Sequence, residues 1–279
     1  MSGAEPVPTD RARQLEWEAR WSRPAALASL IGIAAVVAAI VVATQGVGTA
    51  DGDSELLRNV DANRDAQLLS SILQAIGVGL LAAPLYFLFR AANARSEAMR
   101  GQLVGVVVAA PIFLGVLAIL SGLSTLSAAS DFVADEVPRL IADGVALNSE
   151  RANEVANDTI ADAPLRPLAA GFGLGGQLGF VIGMFYTAMH AMRAGLLTRF
   201  WGSLGMALGA VSFIFFQFAL LWYVYLGLLL AGWAPGGRPP AWKTGEAMPW
   251  PTPGEKAGAV LGDGDDDAPE GSGEEGQPR

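Results

Sequence analysis

An all-α polytopic transmembrane helix bundle is the fold class this sequence predicts, and three observations predict it. The chain is 52% hydrophobic yet only 16% charged, where soluble domains are about 25% charged. Five runs, 24–50, 66–89, 101–130, 167–192 and 200–237, contain no Asp, Glu, Lys or Arg. The connections between them alternate in net charge: 0 for 1–23, −3 for 45–66, +2 for 90–100, −5 for 131–166, +2 for 190–199 and −5 for 235–279. A soluble fold cannot bury five such runs, whereas a bilayer can, because a spanning helix needs ~20 apolar residues.

Taken in order, residues 1–23 balance Arg11, Arg13, Arg20 and Arg23 against Glu5, Asp10, Glu16 and Glu18. Trp17 and Trp21 precede the first apolar run, where amphipathic rings favour the headgroup level. The charged N-terminal region is long and the apolar run exceeds that of a secretory signal, so 24–44 is expected to be an uncleaved first span. The connection 45–66 is acidic, and Ser54 before Glu55-Leu56-Leu57 predicts the N-cap of a short helix. A second span is expected at about 68–89, kinked by Pro84, which lacks a backbone donor. A third is expected at about 103–126, with Pro111 and a serine-rich end.

Residues 131–166 form the longest polar connection. Val133, Val137, Leu140, Ile141 and Val145 repeat with helical period, and Ala152, Val155, Ala156 and Ile160 repeat more weakly. Two short amphipathic helices are expected, packed on each other or on the membrane rim. The fourth span runs about 168–190 and ends at His190, read as an interfacial histidine. The charge-free run 200–237 would make one helix of about 52 Å, too long for a ~30 Å core. A hairpin near Gln217 divides it into spans at about 201–216 and 218–234, with Trp222, Tyr223 and Tyr225 as interfacial aromatics. Six spans are therefore expected, five being the other count. The Pro/Gly/acid-rich tail 235–279 is expected to be disordered, except that Trp242 and Trp250 could lie against the membrane surface.

The composition excludes much chemistry. There is no cysteine, hence no thiolate nucleophile, disulfide or thiolate metal site. A net charge of −9 argues against nucleic-acid binding. No ionisable Asp, Glu, Lys or Arg lies within a span, so proton-coupled transport, aspartyl proteolysis and voltage sensing lack their usual residues. Gly171, Gly173 and Gly176 fit G-x-G-x-x-G, but no strand precedes them and no acid follows at the right distance. Gly171, Gly175, Gly179 and Gly183 instead recur every fourth residue, a strip that lets another backbone approach. The expected use is packing within the chain, and a homo-oligomer contact is the second use. Asp263, Asp265, Asp267 and Glu274 match part of a calcium loop, without its glycine or flanking helices. No catalytic, cofactor-binding or metal-binding residue is expected, and no small-molecule ligand is identifiable.

The run Tyr186 to Gly205, which includes Ala191-Met-Arg-Ala-Gly-Leu-Leu-Thr-Arg-Phe-Trp-Gly-Ser-Leu-Gly, and Pro235-Gly-Gly-Arg-Pro-Pro-Ala-Trp resemble an uncharacterised family of bacterial, mainly actinobacterial, multi-pass membrane proteins. The likeness covers the last two spans and extends to the rest by layout. It implies residence in the bacterial inner membrane and carries no catalytic residues. This chain has Phe215-Phe216-Gln217 where that family has Pro or Gly between the last two spans.

Arg and Lys mark cytoplasmic connections. The N-terminus, 90–100 and 190–199 are thus expected inside, with 45–66 and 131–166 outside. An even number of spans returns the tail to the cytoplasm. The leading expectation for function is a non-enzymatic structural or interaction protein in contact with the lipid bilayer. The alternative is a small-solute permease or channel lined by Ser and Gln rather than charges.

Overall fold

The computed structural model describes residues 10–250 apart from Glu97. The tail beyond Trp250, with its expected disorder and its calcium-loop likeness, lies outside the described residues. Those that are described form helices and turns, with no strand among them. Four helical stretches are long and apolar enough to cross a membrane: Asp10–Gly46, Arg64–Asn93, Gly101–Ala142 and Arg166–Arg193. The chain is thus all-α, and its helices have the length and hydropathy of a membrane protein.

Helix α1 (Asp10–Gly46) runs unbroken through the charged N-terminal segment and the first apolar run. After the short α2 (Asp53–Ala62) come α3 (Arg64–Leu80) and α4 (Ala82–Asn93), one rod broken at Leu81. The break lies three residues before Pro84, whose missing N–H leaves the Leu80 carbonyl without its helical partner. A 3₁₀ turn, Gly101–Leu103, leads into α5 (Val104–Asp131). A π turn, Phe132–Glu136, then carries α5 into α6 (Val137–Ala142). The first amphipathic stripe of 131–166 is therefore an extension of the third apolar helix rather than a separate element. The second stripe is α7 (Glu150–Ala161), N-capped by Ser149.

Helix α8 (Arg166–Arg193) is followed by α9 (Arg199–Val211), α10 (Phe216–Ala231) and the short α11 (Ala241–Thr244). Helix α3 packs between α1 and α5, α5 against α8, and α9 and α10 complete the ring between α8 and α1. Helix α4 leans inward to touch α1, α5, α8 and α10. Its Leu85, Leu88 and Phe89 meet Phe180, Met184 and Tyr223 in a core without solvent access.

The apolar run after Arg199 is divided, but at Ser212–Phe215 and not at Gln217, which is exposed within α10. Its halves have 13 and 16 residues, or roughly 20 and 24 Å. Their depth can be read from their neighbours. Along α8, Gly202 sits beside Met192, Gly205 beside Ala188 and Gly209 beside Met184. The tip follows, where the Gln177 amide donates to the Ser212 carbonyl. Eleven residues of α8, about 16 Å, continue past Gln177 to Arg166. On the other side Ser29 Oγ donates to the Tyr223 carbonyl at 2.8 Å. Counting outward from that bond, α10 ends after about 10 Å and α1 after about 26 Å. Both registers leave the tip about 15 Å short of the far end of the bundle.

Trp222, Tyr223 and Tyr225 are buried, contrary to their expected interfacial placement. Trp222 Nε1 donates to the Trp201 carbonyl at 3.0 Å, and Tyr225 stacks on Trp201 at 3.7 Å. Their place follows from α10, which lies in the ring with α4 behind it, so its aromatic face fills the core.

The glycine strip is only partly the face that packs. A methyl on Gly176 would lie 3.1 Å from Leu114, one on Gly179 3.0 Å from Ala110, and one on Gly183 3.4 Å from Val107. Around Gly171 nothing lies within 4 Å, and Gly175 meets only Phe113 at 3.9 Å. Gly176, outside the four-residue repeat, is thus packed as closely as Gly179, and it meets the Leu114 backbone nitrogen as well as its side chain. Gly176→Leu is expected to cost about 1–3 kcal/mol through overpacking, measured by thermal unfolding in detergent. Gly171→Leu should leave that value unchanged, and it becomes the probe for an oligomer contact. A shift of oligomeric mass in Gly171→Leu alone would place the second copy on that face.

Candidate functional site

At the end holding the two acidic connections, α2 and α7 pack together beside the extension of α5. Val47, Leu57, Val60, Phe132, Leu140, Ala152 and Ala156 form a second small core there. Ser54 does not cap α2, whose N-cap is Gly52. Its N–H donates to Asn153 Oδ1 at 3.0 Å and its hydroxyl to the Leu147 carbonyl at 2.8 Å. Asn157 reaches Asp53 at 3.2 Å. The Asn153 side chain lies close to Gly52, and a methyl there would sit 2.5 Å from its Oδ1. The two acidic connections are thus one folded cap bearing many carboxylates. No group of three or more His, Asp or Glu among the described residues is disposed to hold a metal ion.

The opposite end gathers the basic connections and the residues after α10. Arg95 is fully buried as a side chain, with Glu18 at 5% exposure. Arg95 Nη2 donates to Glu18 Oε2 at 2.9 Å and to the Ala241 carbonyl at 3.1 Å, and Nη1 to the Ala91 carbonyl at 2.9 Å. A second bond joins Arg95 Nη1 to Glu18 Oε1. The pair therefore ties α1, the end of α4 and α11. Trp242 stacks on Phe87 with centroids 6.0 Å apart, and Phe87 on Trp17 at 5.1 Å. Arg95 and Arg238 each lie 5.8 Å from the Trp242 ring, a cation–π arrangement.

The two tail tryptophans are tied to the protein through their indole nitrogens. Trp242 Nε1 donates to the Leu196 carbonyl at 2.9 Å, and Trp250 Nε1 to the Leu197 carbonyl at 2.8 Å. These carbonyls are presented by the sharp elbow between α8 and α9, where Gly195 has φ +74. A methyl at 195 would also strike the Met248 carbonyl at 2.1 Å. Arg238 Nε donates to the Leu229 carbonyl at 3.0 Å and its Nη2 to that of Leu230, satisfying the last turn of α10. Burial draws the Arg238 guanidinium below its ordinary value, and the Glu18 carboxylate opposes that shift.

His190, expected at the interface, is buried within the protein, its ring 4.4 Å from that of Tyr186. The Tyr186 hydroxyl accepts the Arg100 N–H at 2.6 Å, and His190 Nδ1 has no partner among the described residues. The sequence placed this histidine by the end of an apolar run. Tyr186, whose own ring meets Phe89 of α4, lies against it instead.

Within the bundle, a crevice of about 220 Å³ opens between α3 and α5. Gln67, Ser70, Ser71, Gln74, Ser121 and Thr125 supply its polar groups. Ser71 Oγ and Thr125 Oγ1 donate to their own helices, at the Gln67 and Ser121 carbonyls. Such a lining can hydrogen-bond a neutral polar molecule and holds no general acid, base or nucleophile pair. Ser and Gln are the residue types the permease alternative expected, although the individual positions on α3 were not foreseen. Their signal was available: Gln67, Ser70, Ser71 and Gln74 fall at i, i+3, i+4 and i+7, one helix stripe. The chain matches no known protein family, no curated protein and no solved structure.

Proposed function

We propose that this chain is a non-enzymatic integral membrane protein with a structural or interaction role. In this reading it crosses the bilayer four times, and α9–α10 dip in and return as a re-entrant hairpin. The observation that carries the reading is the hairpin tip. Phe213, Ile214 and Phe215 are exposed, Ile214 to 75%, about 15 Å short of the far ends of α1 and α8. A turn in water would be polar, whereas this one is apolar. Its N–H groups find internal partners, with Phe213 N–H on the Ala210 carbonyl and those of Ile214 and Phe215 on Val211. Irregular backbone at membrane depth needs such internal partners.

The six-span count expected from the run 200–237 gives way here to four crossings and a hairpin. Both counts return the chain to the side from which it started. Arg11 pairs with Glu246 at 2.5 Å, so the two ends of the described chain share one side. The Arg and Lys bias makes that side cytoplasmic. The acidic cap then faces outward, as a surface for cationic partners.

Because the chain has no cysteine, single-cysteine labelling tests this topology directly. Ala94→Cys and Ala247→Cys are expected to react with an impermeant maleimide only from the cytoplasmic side, and Asn148→Cys only from outside. Ile214→Cys should react from neither side. Labelling of Ile214→Cys from outside would restore six crossings. The crevice between α3 and α5 favours permeation of small neutral solutes as the second reading. Glycerol or urea flux into proteoliposomes above the protein-free rate, abolished by Ser70→Leu, would establish it.

A further inference from the structure

The elbow between α8 and α9 carries a cleft of about 530 Å³ that the reading above leaves unused. Met192, Arg193, Arg199, Ser203, Pro249 and Trp250 line it. One wall is held in place, because Trp250 donates to the Leu197 carbonyl and its own carbonyl accepts from Arg199 Nη2 at 3.0 Å. Arg193, in the last turn of α8, is exposed and forms no ion pair among the described residues. No Asp or Glu occurs in the sequence between Asp162 and Glu246, and Glu246 is held by Arg11. Among the described residues that line the cleft there are two arginines and no carboxylate, and the N-terminal turn of α9 adds its positive end.

Its position selects the kind of anion. Phe200, beside Arg199, is 66% exposed and Trp233 is 72% exposed. Large exposed rings next to arginines mark the level where headgroups meet hydrocarbon. From that level the outer face of α9 runs into the bilayer over Ser203, Ala207 and Ala210, all exposed and small, which leaves room for an acyl chain. Basic pockets between membrane helices on the cytoplasmic side suit acidic headgroups.

We infer that this cleft binds the headgroup phosphate of an anionic phospholipid. Arg193 and Arg199 engage the phosphate oxygens, Ser203 donates a hydroxyl, Trp250 and Pro249 cover the glycerol, and the acyl chains follow α9. This rests on the chain being embedded in a membrane and is independent of whether it crosses four or six times.

The test uses the full chain in neutral-detergent micelles titrated with phosphatidylglycerol, phosphatidylcholine or inorganic phosphate, read by thermal unfolding. Phosphatidylglycerol is expected to raise the transition saturably, and the other two are not. Arg193→Gln should keep the lipid-free transition and weaken phosphatidylglycerol binding about fivefold, since one interfacial arginine contributes about that factor. Arg199→Gln, which also frees Trp250, should weaken it similarly from a lower lipid-free transition. Arg13→Gln, a charge-matched change on the exposed rim of α1, should leave binding unaltered. Equal weakening by Arg13→Gln and Arg193→Gln would reduce the effect to the general field of the basic end and overturn the site. Unaltered binding in Arg193→Gln, or stabilisation by phosphatidylcholine, would overturn it as well. Stabilisation by inorganic phosphate would make it a free-phosphate site instead.

Discussion

Replacing Glu18 by alanine is expected to lower the stability of the detergent-solubilised chain by about 3–5 kcal/mol, the cost of leaving a buried charge uncompensated. Arg95 has no solvent access as a side chain, so water cannot replace the lost carboxylate. Its remaining acceptors would be the Ala91 and Ala241 carbonyls, which bind the guanidinium without neutralising it. Gln14, 2.9 Å from Glu18 Oε1, would lose its acceptor too. Glu18→Gln keeps one acceptor and should fall between alanine and the parent. The double variant Glu18→Leu with Arg95→Met should recover most of the loss, because an apolar pair of similar volume carries no desolvation cost. The Arg11–Glu246 pair spans the same two regions with both side chains more than half exposed. Glu246→Ala is therefore expected to cost no more than about 1 kcal/mol. Thermal unfolding of the four variants under one condition checks the order. A loss in Glu18→Ala no larger than in Glu246→Ala would show that water reaches the buried pair.

This ion pair also marks where the sequence stops being legible. The four long helices could be read directly, because each contains an apolar run bounded by charge, and Pro84 announced the break in α3–α4. The grouping of 45–66 with 131–166, and of residues 10–23 with 90–100 and 190–199, followed from alternating charge. What charge balance could not show was pairing. Glu18 and Arg95 are 77 positions apart and look like two more headgroup-level charges. Trp242 and Trp250 look interfacial for the same reason, since a tryptophan near an apolar run is usually an anchor. Their actual partners, the Leu196 and Leu197 carbonyls, exist only because Gly195 turns the chain with a positive φ. The polar crevice was half legible. Its residue types were anticipated, but the stripe Gln67, Ser70, Ser71 and Gln74 was not picked out, because four hydroxyls or amides within an apolar run raise no alarm in a charge count. The length of the last apolar run was also legible. Each half was too short to cross comfortably, and the Phe213-Ile214-Phe215 tip lacked the polar residues of a turn in water.

The glycines that matter most lie outside the periodic strip, and Gly77→Leu is expected to be the most damaging single change in the apolar interior. A methyl on Gly77 would sit 2.7 Å from the Gly32 carbonyl oxygen and 2.9 Å from the Val36 nitrogen. A methyl on Gly32 would sit 2.7 Å from the Gly77 carbonyl oxygen. The contact is reciprocal and made by backbone, so no side chain can swing aside to relieve it. α1 and α3 must separate, and every contact along their shared face weakens with them. Alanine alone should cost about 1–3 kcal/mol, and leucine enough to lose the folded bundle in detergent. Insertion should persist, because the change makes the segment more apolar and the lost term is packing between helices. Gly79→Leu is the control, since nothing lies within 4 Å of its added carbon, and it should stay within about 0.5 kcal/mol of the parent. Gly32 lies fourteen residues, or about 21 Å, along α1 from Glu18, beyond the range over which substitutions usually couple. The losses in Gly77→Ala and Glu18→Ala should therefore add in the double variant. A double variant markedly better than the sum would mean that α1 is held as one unit, released at its Glu18 end as soon as its crossing with α3 is opened.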